Sequence, residues 1–438
     1  MNVINVSALE AHVAEIMENE QIAGVAIAVS QNGNTLYEKG FGVRNIATGD
    51  PVTPDTVFGI GSVTKSFTAL AIMKLAQEGK LSLHDPVQKH LPDWKLQGLE
   101  DQRTVTIHHL LTHTTGLPPM RRREDLNRFD EHLTYLGSAE YALLGQPGEY
   151  FSYCNDTFLL LGAIIERLTG RLYRRYVTEE ILARLQMHRS TFSLEELAKL
   201  SNVTIPYVKN AVNNQLEAVN WSKLGNYEVG GGIRSTVRDL ITYGQALLGQ
   251  GTTVVGAGVA NEMWRPHHQI DRNSFYGYAL ESVPDHAGIT LVEHGGSQPG
   301  VSSHFGLVPE KGLVVAVLTN VSDVSADAIW LATVNAALGL PLEQKSSVQP
   351  TYEASLEELQ RLMGTYHSAE GGRVRFFLDR ELPKAISGNA EFSLRATDSH
   401  TLVVEGKNFP IRFFFKEGKQ AWAVRIGVRM WTRTTDEA

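Results

Sequence analysis

The chain has 438 residues, 42% of them hydrophobic and 20% charged, and carries a net charge of -8 at pH 7. That balance suits a globular protein of two or three domains and argues against nucleic acid as a main partner, because phosphate binding needs a clustered basic surface. One cysteine, Cys154, leaves no internal disulfide possible, so the fold does not rest on an oxidising compartment.

Residues 6–20 carry Val6, Leu9, Val13, Ile16 and Met17 at helical spacing. A strand at 24–29 follows, then the turn signal Asn32-Gly33 and a return strand at 35–42. The first twenty residues lack the pattern of a secretory leader, and no apolar run approaches the roughly 18 residues that span a bilayer. The expected location is therefore cytoplasmic, with no membrane partner. The middle of the chain reads as helices at 62–78, 106–113, 155–169, 178–186 and 236–248, the last opened by a capping box from Thr236 to Asp239. Arg121-Arg122-Arg123, with Glu124 and Asp125 behind it, reads as a solvated loop.

Strands return at 289–294, 302–308 and 313–319, with a turn at Pro309 to Gly312, and a helix spans 325–338. Strands at both ends with helices between them predict an α+β fold: an antiparallel sheet flanked by helices, plus an all-helical insertion, with a cleft between the parts. Residues 1–343 form this domain and 344–352 a linker. Residues 353–438 begin with a short helix at 353–364. Segments at 374–378, 392–396, 401–404, 411–416, 420–424 and 429–432 then predict a small antiparallel barrel.

Three segments carry chemistry. In Gly59-Ile60-Gly61-Ser62-Val63-Thr64-Lys65 a serine sits at a helix start and a lysine lies one turn on, on the same face. A serine hydroxyl needs a base to become a nucleophile, and lysine serves only if burial or neighbouring cations depress its pKa. In Tyr153-Cys154-Asn155, on a loop before a helix, a phenol beside a lysine cation would ionise more easily and shuttle protons. Asn155 can bond both a lysine and a substrate carbonyl, and Cys154 reads as packing. In Glu293-His294-Gly295-Gly296-Ser297, at a strand end, small residues leave the edge open for an extended substrate. A backbone N–H there, paired with that of Ser62, would form an oxyanion hole.

In this order the three segments resemble the serine β-lactamase and penicillin-binding D,D-peptidase family, most closely its class C-like branch with the D-aminopeptidases and family VIII-type esterases. Leu110-Leu111-Thr112-His113-Thr114-Thr115-Gly116-Leu117 and the segment 300–320 extend the resemblance over about residues 8–340. It implies Ser62 as nucleophile, Lys65 and Tyr153 as proton carriers, and Asn155 as orienting both lysine and substrate. It further implies Gly295 and Gly296 beside the substrate, an oxyanion hole from the Ser62 and Ser297 N–H groups, and a structural His113. His294 stands where many relatives have lysine. Its charge would change near pH 6–7 and lacks lysine's permanence, which points toward peptidase or esterase chemistry. The C-terminal part resembles the lipocalin-like barrel appended to some relatives.

These observations predict an acyl-enzyme hydrolase of amide bonds in small peptides or D-amino-acid derivatives, with no cofactor. The alternatives are a carboxylesterase on short acyl esters and a penicillin-binding sensor that acylates without turnover. A metal site is the remote alternative, on a shared helix face of His109 and His113 that lacks a third ligand.

Overall fold

The computed structural model describes residues 4–407 and 409–434. Residues 1–3, where the leader reading begins, and 435–438, the end of the expected barrel segment, lie outside the described residues.

Helix α1, Val6–Asn19, starts at Asn5, whose side chain accepts from the Ala8 N–H at 3.1 Å. Strands β1 (Gly24–Gln31) and β2 (Asn34–Asn45) form the expected hairpin. Asn32 and Gly33 both take positive φ, as a tight two-residue turn requires. A short β3, Asp50–Pro51, lies beyond β2. Helices α2 (Thr64–Gln77), α3 (Asn155–Thr169) and α4 (Val237–Leu247) follow. Then come β4 (His268–Asp271), β5 (Ser274–Tyr276), β6 (Glu281–His286), β7 (Ile289–Gln298), β8 (Val301–Val308), β9 (Leu313–Thr319) and α5 (Ala326–Leu338). The nine strands make one sheet in the order β3-β2-β1-β9-β8-β7-β6-β5-β4, so the two ends of the chain segment meet at its centre, where Val25 faces Thr319.

Both faces of the sheet are covered, which explains the near-continuous apolar runs of its central strands. Val25, Ile27, Val29, Val315 and Val317 pack in one cluster with Leu9 and Val13 of α1 and Ile329 and Trp330 of α5. Ala26, Ala28, Val314, Ala316 and Leu318 belong to the other cluster, with α2 and α4. Small residues set the close approaches. A Cβ on Gly244 of α4 would lie 2.3 Å from Val314, and one on Gly306 of β8 would lie 2.4 Å from Trp330.

Several expected boundaries move. The helix expected at 106–113 ends at Leu111, and His113 turns into the left-handed region at φ 56. The shared face on which the His109–His113 metal reading depended therefore does not form. The 178–186 helix is a widened helical turn, Thr178–Leu182, after a short helix Tyr173–Val177. Strands β4, β5 and β6 went unread, because Pro284, Asp285 and Arg272 interrupt any alternation there. The strand expected at 289–294 continues to Gln298, so the glycines follow His294 within the strand.

Beyond α5, residues 340–355 hold no helix or strand. Helix α6, Leu356–Leu362, opens with a reciprocal Ser355–Glu358 capping box. The barrel that follows is closed and has eight strands, all neighbours antiparallel. Its last two are β16 (Ala423–Ile426) and β17 (Arg429–Arg433). Tyr366 pairs with Arg433 where the first strand meets the last. Its core holds Leu362, Tyr366, Phe376, Leu402, Ile411, Phe413 and Val424. The first strand, Gly364–His367, and the third, Leu382–Ser387, were missed.

Thr236 caps α4 by accepting from the Asp239 N–H at 3.1 Å, but the expected return bond is absent: Asp239 instead accepts from Ser190 Oγ at 2.7 Å. Thr236→Ala should therefore cost about 1 kcal/mol through the lost cap alone. Urea unfolding would measure it, and an unchanged midpoint would count against the cap.

Candidate active site

Ser62 lies in a single tight turn, Gly61–Val63, that runs directly into α2. The turn is held on two sides. Phe58–Gly59 pairs with Arg234–Ser235, and the Ile60 N–H donates to the Ile233 carbonyl at 3.1 Å. On the other side Ser303 Oγ donates to the Ile60 carbonyl at 2.8 Å. A Cβ on Gly296 would sit 2.1 Å from that carbonyl, and one on Gly61 would sit 2.7 Å from the Ser297 nitrogen. Glycine at 61 and 296 thus lets the nucleophile's turn lie flat against β7. This brings the Ser62 and Ser297 backbone to the same side of the cleft. Gly295 is under no such pressure, since a Cβ there would meet nothing closer than 3.5 Å.

Lys65 is wholly buried. Its Nζ lies 2.9 Å from Asn155 Oδ1, 2.9 Å from the Gly230 carbonyl and 3.3 Å from Ser62 Oγ. Burial pulls its pKa well below the ordinary lysine value, with help from the Arg122 and Arg429 charges. In the neutral form the amine has two N–H donors and one lone pair. The amide oxygen and the carbonyl can only accept, so they take the two donors. The lone pair is left to the Ser62 hydroxyl, the one neighbour that can donate. Gly230 was not anticipated as a partner; the run Gly230-Gly231-Gly232 was its only trace in the sequence. A Cβ at 230 would lie 2.8 Å from Nζ.

Tyr153 is brought in by the extended segment before α3. Its ring lies 4.9 Å from Lys65 Nζ, and the nearby Ser62 hydroxyl favours its ionised form. Burial nevertheless dominates and pushes the phenol above its usual pKa. The expected easier ionisation is therefore reversed: burial outweighs the nearby Arg429 and Arg122 charges, and the phenol keeps its proton. Tyr153 Oη and Asn155 Nδ2 are both buried without a protein partner, and both are free for a substrate. Cys154 packs as expected, buried with its thiol pKa raised chiefly by that burial. His113 Nδ1 accepts from the Cys154 N–H at 3.2 Å, and its ring lies 4.2 Å from that of Tyr153. It serves as a wall for the phenol.

His294 overturns the charge expectation. It is 4% exposed. Its Nδ1 lies 2.6 Å from the Gly295 carbonyl, which can only accept, so Nδ1 carries the proton. Nε2 then accepts from the hydroxyl of Tyr276, at 3.1 Å. Both ring nitrogens are committed inside the protein, and burial lowers the pKa to about 3. His294 is a neutral imidazole across the working pH range and offers no switch near pH 6–7. Tyr276, on an unread strand, was invisible to sequence reasoning.

The open strand edge is present. Strand β6 pairs with β7 only as far as Glu293, opposite Glu281, whereas β8 pairs with β7 through Gln298. From His294 onward one edge of β7 has no strand partner and faces the cleft beside Ser62. The last hairpin of the barrel packs against the segment that carries Tyr153. The Tyr153 N–H donates to the Val428 carbonyl at 2.7 Å, and the Met430 N–H donates to Ser152 Oγ at 3.1 Å. Val428 packs against Phe151, Tyr153, Ile270 and Tyr276. Arg122, expected as plain solvated loop, comes close enough to act on Lys65.

A serine in the turn before a helix, a buried lysine one turn on and a strand edge beside both are the parts that an acyl-enzyme serine hydrolase requires. The chain belongs to the β-lactamase family, whose description "Beta-lactamase" matches residues 9–338. Penicillin-binding protein 4 of Amycolatopsis lactamdurans is 32% identical over 318 residues, covering 68% of this chain and 81% of that one. Protein flp of Staphylococcus aureus (strain MW2) is 38% identical over 181 residues, or 40% of this chain; the match spans 36% of that longer protein. An octameric penicillin-binding protein homologue from Pyrococcus abyssi superposes with TM-score 0.75 at 28% identity, covering 98% of this chain and 100% of that one. SurE superposes at 0.77 with 21% identity, covering 98% of this chain and 99% of that one. Both extend the similarity of fold through the barrel. No helix among the described residues is long and apolar enough to cross a membrane.

Two outcomes follow. Gly230→Ala should displace the Lys65 amine and cut turnover at least ~10-fold, since it perturbs a general base; wild-type kinetics would show that the carbonyl contact is dispensable. For His294, the folded pKa of about 3 lies below the unfolded value of about 6.5. The unfolded chain binds more protons between these values, so stability is full above pH 6.5 and is lost as pH falls. His294→Gln should flatten the decline in Tm over that window in thermal melts; an unaltered slope would mean the imidazole titrates normally.

Proposed function

We propose that the protein hydrolyses amide bonds of small peptides or D-amino-acid derivatives through an acyl-enzyme on Ser62. The carrying observation is the buried Lys65 amine, its pKa lowered chiefly by that burial and its Nζ 3.3 Å from Ser62 Oγ. As Oγ attacks the carbonyl carbon, its proton passes to Lys65. The oxyanion is held by the Ser62 and Ser297 N–H groups, and Asn155 Nδ2 orients the substrate carbonyl side. Tyr153 protonates the leaving nitrogen as the C–N bond breaks. The ammonium formed on Lys65 then lies by the phenol ring and eases loss of the phenolic proton at that moment. Water enters the vacated position and reverses the sequence.

A phenol that keeps its proton favours amides over esters, because a departing amine needs protonation and an activated alkoxide does not. His294 leaves β7 without the permanent cation that lysine supplies there in many relatives. The open edge of β7 suits an extended peptide.

Ser62→Ala should abolish labelling by a fluorophosphonate probe, and intact-mass spectrometry should find a single acyl adduct on the wild type with D-peptide substrates. Lys65→Ala should lower turnover by at least ~10²-fold. Undiminished labelling of Ser62→Ala would overturn the assignment.

A further inference from the structure

We propose that Arg429, supplied by the barrel, is the residue that recognises a carboxylate on the substrate; this rests on the active site described above. Burial lowers the pKa values of Lys65, His113 and His294. None of the three is placed to serve as a permanent cation for a substrate anion. The permanent charges that act on Lys65 are Arg122, Arg429 and Glu370. Arg429 is placed with the least freedom of the three. It sits between the two residues of the β16–β17 hairpin that hold this segment, Val428, which accepts from the Tyr153 N–H, and Met430, whose N–H donates to Ser152 Oγ. Its guanidinium carbon lies 5.2 Å from the centre of the Tyr153 ring.

One acid meets it. Glu370, on the loop between the first two barrel strands, lies 2.6 Å from Arg429 Nε. This side of the guanidinium is occupied, but among the described residues neither terminal nitrogen makes a hydrogen bond, and the side chain is 32% exposed. A planar fork with two unpaired nitrogens at the rim of a cleft matches a carboxylate. Glu370 also lines the adjoining cleft with Arg121, Arg122 and Glu124, and its carboxylate on Arg429 is an internal stand-in for the ligand's.

The carboxylate can lie on the acyl side of the scissile bond or on the leaving residue, and paired probes separate these. Competition against fluorophosphonate labelling of Ser62 supplies the readout on the whole protein. On the acyl side, 3-carboxyphenylboronic acid is compared with its carboxamide. On the leaving side, N-acetyl-D-Ala-D-Ala is compared with its C-terminal amide. In at least one pair the acid should compete roughly tenfold better or more, the scale of a charge-assisted bond. Arg429→Ala should erase that preference and Arg429→Lys should restore part of it. Glu370→Gln removes the internal competitor and should strengthen it. Equal competition by acid and amide in both pairs on the wild type would overturn the proposal without needing any variant to fold. A preference that survives Arg429→Ala would overturn it too. Failure of Ser62 to label at all would instead strike the catalytic assignment.

Discussion

Everything in this site depends on keeping a primary amine out of water. A buried ammonium without a carboxylate partner is costly, and among the described residues none lies within ion-pair range of Lys65. What surrounds it is an amide oxygen, a backbone carbonyl and a hydroxyl. That set satisfies a neutral amine completely and compensates an ammonium poorly. The fold thus chooses the protonation state by choosing the neighbours, and the neutral state is the one that can take a proton from serine.

The constraint reaches outward through packing. The Gly230 carbonyl is delivered by a turn whose next strand pairs with the segment leading to Ser62. Asn155 is delivered by the first turn of α3, immediately after Tyr153. Glycines at 61, 230 and 296 occupy places where a Cβ would strike the opposite wall. Serine, lysine and the β7 edge are therefore parts of one packed unit in which no member can shift by an ångström alone.

What the sequence revealed and what it hid divides by range. Ser62 and Lys65 are one helical turn apart, and Tyr153 and Asn155 adjoin a helix start, so spacing exposed them. The central strands were legible because apolar runs with a tight Asn32-Gly33 turn admit few readings. Edge strands β4 to β6 were not, since they are short, polar and broken by proline. That loss carried a further one. The state of His294 is decided by Tyr276 on β5 and by the carbonyl next door, and a residue's charge cannot be read from its type when its surroundings are unread. Nothing in the run from Ile426 to Met430 signals that it lies against Tyr153, some 275 positions earlier in the chain; only tertiary packing joins them.

The barrel also ties recognition to reactivity. The Arg429 charge is among the causes that depress Lys65. With a substrate carboxylate on Arg429 as proposed, that contribution would be offset, and the amine would become a stronger base for the Ser62 proton as the site fills. Lysine on β7 in place of His294 would put a second cation close to Lys65 on the same segment that forms the oxyanion hole. Placing the charge on a separate hairpin, with Glu370 moderating it, lets the anion site vary with the barrel loops while the serine, lysine and strand edge keep their packing.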